Sequence, residues 1–311
     1  MSPDTTASRN AFGQPMRRKE DLRLLLGQGR FTADLVTPGM ALAAMVRSPH
    51  AHADIVAIDT TAAAAMPGVL AVLTGADYAA DGLGGISPGG PLIRLPGTPA
   101  DQGFLFQPEH PALALGRVRY VGETVVLVVA EIAEQARDAA EAVAVEYAVL
   151  PSVTDTAAAA RLGAPLVWDE APGNACFRWQ AGDEAAVDAA FAGAAHTVRL
   201  ETLNNRIHVA SMETRGAIGT FEDGRYTLAT GTQMPHGLKE ALADEVFGVP
   251  REQMRVTVAD VGGSFGIKNA LYPEQVLVLW AARRVGRTVA WIGERGDGFL
   301  SDYQARDSVY S

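Results

Sequence analysis

Residues 119–147 read RYVGETVVLVVAEIAEQARDAAEAVAVEY, and this stretch decides the fold class. Residues 119–130 end in a nearly continuous β-branched run with no polar alternation, the mark of a strand buried on both faces. Residues 133–142 (AEQARDAAEA) have the composition of a helix, and residues 143–147 return to strand character. Strand, helix and strand within about 30 residues predict a βαβ unit and so a mixed α/β fold.

Upstream, residues 40–47 (MALAAMVR) and 53–58 (ADIVAI) predict two short strands around SPHAH. Asp59-Thr60-Thr61 suits the start of a short helix that Pro67-Gly68 ends, and residues 69–73 predict another strand. Residues 81–111, rich in Pro and Gly, predict a long irregular surface loop, and residues 1–18 a polar extended arm. Residues 19–150 therefore form a first α/β domain.

Downstream, residues 151–182 predict a linker, with Pro151, the alanines 157–160, Pro165 and Pro172-Gly173. Residues 183–311 then form a second α/β segment. Residues 196–203 predict a strand, and Asp223-Gly224 between apolar runs predicts a hairpin. Pro235 opens a helix that Gly248 stops, residues 254–261 predict a strand, and GGSFG (262–266) a tight loop. A helix over 273–285 begins with Pro273 and is followed by Gly286. Residues 288–292 predict a last strand, after which the sequence runs out with no breaker or cap. That ending predicts a fold completed from outside this chain.

The composition narrows the function. An apolar fraction of 48% in 311 residues is that of a soluble globular protein of about two domains. Acidic residues outnumber basic ones, 36 to 26, and the only lysines are Lys19, Lys239 and Lys268. No basic cluster for nucleic acid or an anionic membrane follows from that. Cys176 is the single cysteine, so neither an internal disulfide nor an iron–sulfur site can be built here. No apolar run is long enough to span a bilayer, and no signal peptide follows Arg17-Arg18. The expected location is cytoplasmic.

Four candidate sites emerge. Gly262-Gly263-Ser264-Phe265-Gly266 lies between a strand and a helix, where backbone N–H groups can converge on an anion or oxo group, but the same residues suit a plain tight turn. The loop matches neither a Walker A motif nor G-x-G-x-x-G. In Gly231-Thr232-Gln233-Met234-Pro235-His236, Thr232 reads as an N-cap and Gln233 offers an amide at a helix mouth. Glu213 and Arg215 read as a structural ion pair at a strand entrance in preference to a catalytic pair. His50 and His52 share a predicted strand face without a third metal ligand nearby.

Taken in order, residues 18–31 (RKEDLRLLLGQGRF), 47–55 (RSPHAHADI), 66–77 (MPGVLAVLTGAD), 120–131 (YVGETVVLVVAE), 212–217 (METRGA), 231–236 (GTQMPH) and 260–268 (DVGGSFGIK) resemble the large subunit of the molybdenum hydroxylases. That family comprises xanthine dehydrogenase, aldehyde oxidase and carbon monoxide dehydrogenase. The resemblance implies a hammerhead domain over residues 19–150 and then the incomplete first part of a molybdopterin-binding domain over 183–311. It implies hydroxylation of a carbon centre of an aldehyde or N-heterocycle, with water as oxygen source and a glutamate as base. Molybdenum would be held by the pterin dithiolene (the pterin in its cytosine dinucleotide form), with no protein metal ligand. Electrons would pass to 2Fe-2S and FAD partner subunits.

Residue by residue, Gln233 matches the glutamine that hydrogen-bonds an oxygen on the metal. Gly262, Gly263, Phe265 and Gly266 match the loop whose backbone approaches the cofactor, and Phe265 borders the substrate. Preorganised donors around a charged centre are the physical content of that match. Asn269 stands where purine oxidisers place a substrate-binding glutamate, which argues against a purine. The usual loop reads GGGFG with a small residue next, so Ser264 and Ile267 depart from it, and Ile267 is ill-suited to φ > 0. The resemblance ends before the family's glutamate and most of its pterin-binding segments. It therefore implies a split or truncated subunit, inactive alone, with the glutamate on a second chain. A non-catalytic scaffold is the alternative, favoured by Ser264 and Ile267 and opposed by Gln233 and Phe265. A phosphate-binding enzyme using the glycine loop is a weaker third reading.

Overall fold

The computed structural model describes residues 12–13, 15–87, 105–108 and 110–311. Most of the 1–18 arm, and positions 88–104 and 109 of the 81–111 loop, lie outside the described residues. The strands are β1 (Ala41–Arg47), β2 (Ala53–Asp59), β3 (Val69–Thr74), β4 (Arg117–Val118), β5 (Thr124–Ala130), β6 (Ala144–Val149), β7 (Thr202–Asn204), β8 (Gly216–Glu222), β9 (Arg225–Thr230), β10 (Met254–Thr257), β11 (Val289–Ile292) and β12 (Ser308–Tyr310). Among the described residues they build a seven-stranded sheet in the order β10-β9-β8-β11-β1-β5-β3, a three-stranded sheet β4-β2-β6, and the pair β12-β7.

Every residue of β5 is buried, as its unbroken apolar run predicts. Leu127 and Val129 join the cluster around the helix Pro273–Val285, whereas Val126 and Val128 join the cluster that includes Ala139 of the helix Ala133–Glu141. A period of two sends alternate side chains into cores on opposite faces of the sheet. The helix Pro273–Val285 is buried from Glu274 through Ala282. It lies against Gly219 of β8, where an added Cβ would stand 2.5 Å from the Val278 carbonyl carbon.

The strands flanking the helix Ala133–Glu141 do not form the predicted βαβ unit. β5 lies in the large sheet, while β6 pairs antiparallel with β2 in the small one. The alternating burial of β6 fits a sheet with one wet face, where parallel βαβ strands would be covered on both. The hairpin β8-β9 is as predicted, with Asp223 at φ 49° and Gly224 at φ 74° in the two-residue turn.

Several predicted elements change. Of residues 196–203 only Thr202 and Leu203 are strand, the start of β7, which pairs antiparallel with β12. Val198 and Leu200 are exposed, so their apolar alternation finds no partner among the described residues. The predicted strand at 254–261 stops at Thr257, and the helix opened by Pro235 passes into π pitch over Ala241–Phe247 before Gly248 ends it at φ 59°. Residues 288–292 do not end the regular structure: a helix Arg295–Ser301 and β12 follow. Residues 151–182 are not a bare linker either, since they hold a short helix, Thr156–Ala159. Asn174 also donates to the carbonyls of Ala159 and Pro165 there. No helix among the described residues is long and apolar enough to cross a membrane.

Candidate functional site

Gln233 and the glycine loop meet, although 29 or more residues separate them in sequence. The Ser264 hydroxyl donates to Gln233 Oε1 at 2.5 Å. The backbone N–H of Gln233 donates to the carbonyl of Lys268 at 2.9 Å. Thr232 Oγ1 also donates to that carbonyl, at 2.9 Å, and accepts the N–H of Met234 at 3.1 Å. Thr232 thus closes a local turn and does not cap the helix, which starts later, at Pro235. Gln233 is exposed, and its amide nitrogen has no acceptor among the described residues.

The loop bends where its residues allow. Gly263 has φ 100°, Phe265 φ 51° and Gly266 φ 105°. Ile267 keeps an ordinary φ, because the left-handed positions fall on its neighbours. Phe265 is an uncommon occupant of that region, and its ring is 79% exposed. Among the described residues, none of the backbone N–H groups of Gly263, Ser264, Phe265 and Gly266 has an acceptor. Four consecutive donors without an acceptor among the described residues suit an anionic or oxo ligand.

Beneath the loop lies a charge pair. Lys268 Nζ, on a side chain only 1% exposed, meets Glu213 Oε2 at 2.7 Å. The same carboxylate accepts the N–H of Gly262 at 2.8 Å and of Thr32 at 3.3 Å. Glu213 N–H in turn donates to the Gly262 carbonyl at 3.0 Å. Gly262 is needed here, since a Cβ would sit 2.5 Å from Glu213 Cβ. Glu213 and Arg215 are both in ion pairs, but not with each other. Arg215 reaches Glu274 at 2.5 Å and Asp302 at 2.5 Å. Arg47 of β1 also holds Glu274, at 2.7 Å. Burial alone would raise the Glu274 carboxyl, but the Arg215 and Arg47 charges outweigh it and hold it down at about 2.

The sequence reading took Ser264 only as a departure within the candidate loop, not as the partner of Gln233, and missed Lys268 as part of the site. The signal was a lysine inside an otherwise apolar and glycine-rich motif, which demands a buried counter-ion. Asn269 ends the turn Ile267–Asn269 that follows the loop and is exposed. His50 and His52 lie in the connection between β1 and β2, not on a strand. There His50 packs edge-on to Tyr147, and the His52 ring lies 3.0 Å from the Pro151 carbonyl. No group of three His, Cys, Asp or Glu side chains among the described residues could hold a metal ion. A cavity of about 420 Å³ lined by Phe106, Trp168 and Phe177 shares no residue with the glycine loop.

Two family models match. Residues 26–151 match the aldehyde oxidase and xanthine dehydrogenase a/b hammerhead domain, and residues 167–311 match the molybdopterin cofactor-binding domain. The chain is 36% identical to the nicotine 6-hydroxylase large subunit of Paenarthrobacter nicotinovorans, over 98% of its own length and 36% of that protein's. It is 34% identical to the carbon monoxide dehydrogenase large chain of Hydrogenophaga pseudoflava, over 93% of its own length and 36% of that protein's. The crystal structure of quinoline 2-oxidoreductase from Pseudomonas putida 86 superposes with a TM-score of 0.83 at 40% identity, covering 94% of this chain and 36% of that one. The chain therefore spans about a third of the length of the curated relatives it matches. With its hammerhead fold leading into a glycine loop that faces Gln233, the chain belongs to the molybdopterin-binding aldehyde oxidase and xanthine dehydrogenase family.

Proposed function

We propose that this chain is part of the molybdopterin-binding subunit of a cytoplasmic hydroxylase acting on a carbon centre of an aldehyde or N-heterocycle. The donor set at the loop fits the cofactor. Gln233 is exposed with an amide nitrogen that has no acceptor among the described residues, nor have four loop N–H groups, and the nearby Glu213 carboxylate is committed to Lys268. A group rich in oxygen and negative charge is what such donors stabilise. When bound, the cofactor supplies oxidative hydroxylation with water as the oxygen source.

The chain's own residues bind and orient. Gln233 donates from its amide to the cofactor side, and Gly262 and Gly263 let the backbone come close. Gly266 sets the turn that projects Phe265, whose exposed ring borders the substrate together with Asn269. The pterin is in its cytosine dinucleotide form. The base is a glutamate on polypeptide outside this sequence, and electrons leave through 2Fe-2S and FAD partner subunits. Ser264 does not argue for an inert scaffold, because its hydroxyl organises Gln233 and does not displace it.

The free amide of Gln233 beside the unpaired loop N–H groups carries the proposal. Its test is the composition of the native assembly: molybdenum and pterin are expected with the purified complex, and a stable complex holding neither overturns it. In the loaded complex Gln233→Ala should lower turnover by about 100-fold, the range seen when one preorganised donor is removed.

A further inference from the structure

Gln233 has two chemically different ends, and only its nitrogen can donate. The end that faces outward is decided by Ser264. Its hydroxyl accepts the N–H of Lys268 at 3.1 Å and gives its one proton to Gln233 Oε1 at 2.5 Å. The backbone on both sides is fixed by the same residue, for the Lys268 carbonyl receives the N–H of Gln233 at 2.9 Å. Lys268 is itself buried and anchored on Glu213. Were the amide reversed, its NH₂ would meet the hydroxyl oxygen, and the buried Ser264 proton would lose its acceptor. An amide's two ends are nearly the same shape, so it is the hydrogen-bond network that decides which one faces which way.

We propose that Ser264 is a positioning residue that locks the Gln233 amide oxygen-inward, so that the NH₂ always faces the cofactor side. The inference rests on the function proposed above. Glycine at 264 would remove the lock and leave both orientations open, while threonine would keep the hydroxyl.

The experiment uses the native complex carrying this chain as wild type, Ser264→Gly, Ser264→Thr, Gln233→Ala and the double variant Ser264→Gly/Gln233→Ala. Molybdenum and pterin are assayed first, and a wild-type complex holding neither overturns the function and this inference together. In loaded complexes, partial reduction with dithionite gives a Mo(V) electron paramagnetic resonance signal, recorded in H₂O and in D₂O. Ser264→Gly is expected to shift the principal g values and weaken the exchangeable-proton splitting, and Ser264→Thr to restore the wild-type signal. The double variant is expected to match Gln233→Ala alone. A Ser264→Gly signal identical to wild type, or an undiminished shift on the Gln233→Ala background, overturns the inference and leaves the function standing. Neutron diffraction from deuterium-exchanged crystals of the Ser264→Gly complex, which tells the amide ND₂ from its oxygen, gives the same decision without relying on the metal signal. An amide disordered between its two orientations supports the lock, and one still oxygen-inward overturns it.

Discussion

Among the described residues Lys268 pairs with Glu213, and that same carboxylate holds the glycine loop. Glu213→Ala would strand a buried ammonium and free the N–H of Gly262 in one step. Breaking a buried pair from one side typically destabilises by about 3 kcal/mol or more. Urea denaturation should show that loss, with Glu213→Gln intermediate because it still accepts the Gly262 N–H. Glu123 makes a second prediction. Burial pushes its carboxyl up to about 7 against the pull of the Arg119 N–H and charge. A raised folded value means the stabilisation is full below the unfolded value of about 4.5 and is lost as pH rises through about 7. Wild type should therefore lose on the order of 3 kcal/mol relative to Glu123→Gln between pH 5 and pH 8, by urea midpoints. Residue types in the loop were legible in the sequence, but their partners were not. Glu213 and Arg215 look paired because they are two apart, yet each is claimed by a residue more than 50 positions away.

Elements were legible where one chain segment supplies both the pattern and its partner. The hairpin β8-β9 carries its own turn chemistry in Asp223-Gly224, and the helix Pro273–Val285 its own Pro start and Gly stop. Failures came where the partner lies elsewhere: residues 196–203 alternate like a strand, and β5 and β6 look like βαβ neighbours until each chooses its own sheet. The close approach of the helix Pro273–Val285 to Gly219 gives a test at this scale. In Gly219→Ala the new methyl would meet backbone of Val278, which cannot rotate away. The helix must lift, at a cost of about 1–3 kcal/mol for overpacking, visible as a lower midpoint in urea with an unchanged slope.

At the scale of the molecule, the two matched regions share one sheet. β1, β5 and β3 come from residues within 26–151, and β8 to β11 from within 167–311. They join where β1 runs parallel to β11, Ala41 beside Val289 and Leu42 beside Ala290. Arg47, Glu274 and Arg215 bind the same seam with charge. Glu274→Ala would strip the shared carboxylate from two buried guanidinium groups, leaving Arg47 with Asp297 alone and Arg215 with Asp302, and a loss of about 3 kcal/mol is expected. Fluorescence and circular dichroism should still trace one coincident transition, because the sheet remains continuous. Since the folded Glu274 value lies below the unfolded one, the seam's contribution is complete above about pH 4.5 and falls away toward pH 2.

The β1–β11 pairing also sets a timetable for synthesis. A ribosome adding 5–20 residues per second needs roughly 12–50 s to pass from β1 to the end of β11. Until then the nascent β1 offers bare N–H and C=O groups along the side that β11 will cover, an invitation to stray strands that a chaperone must refuse.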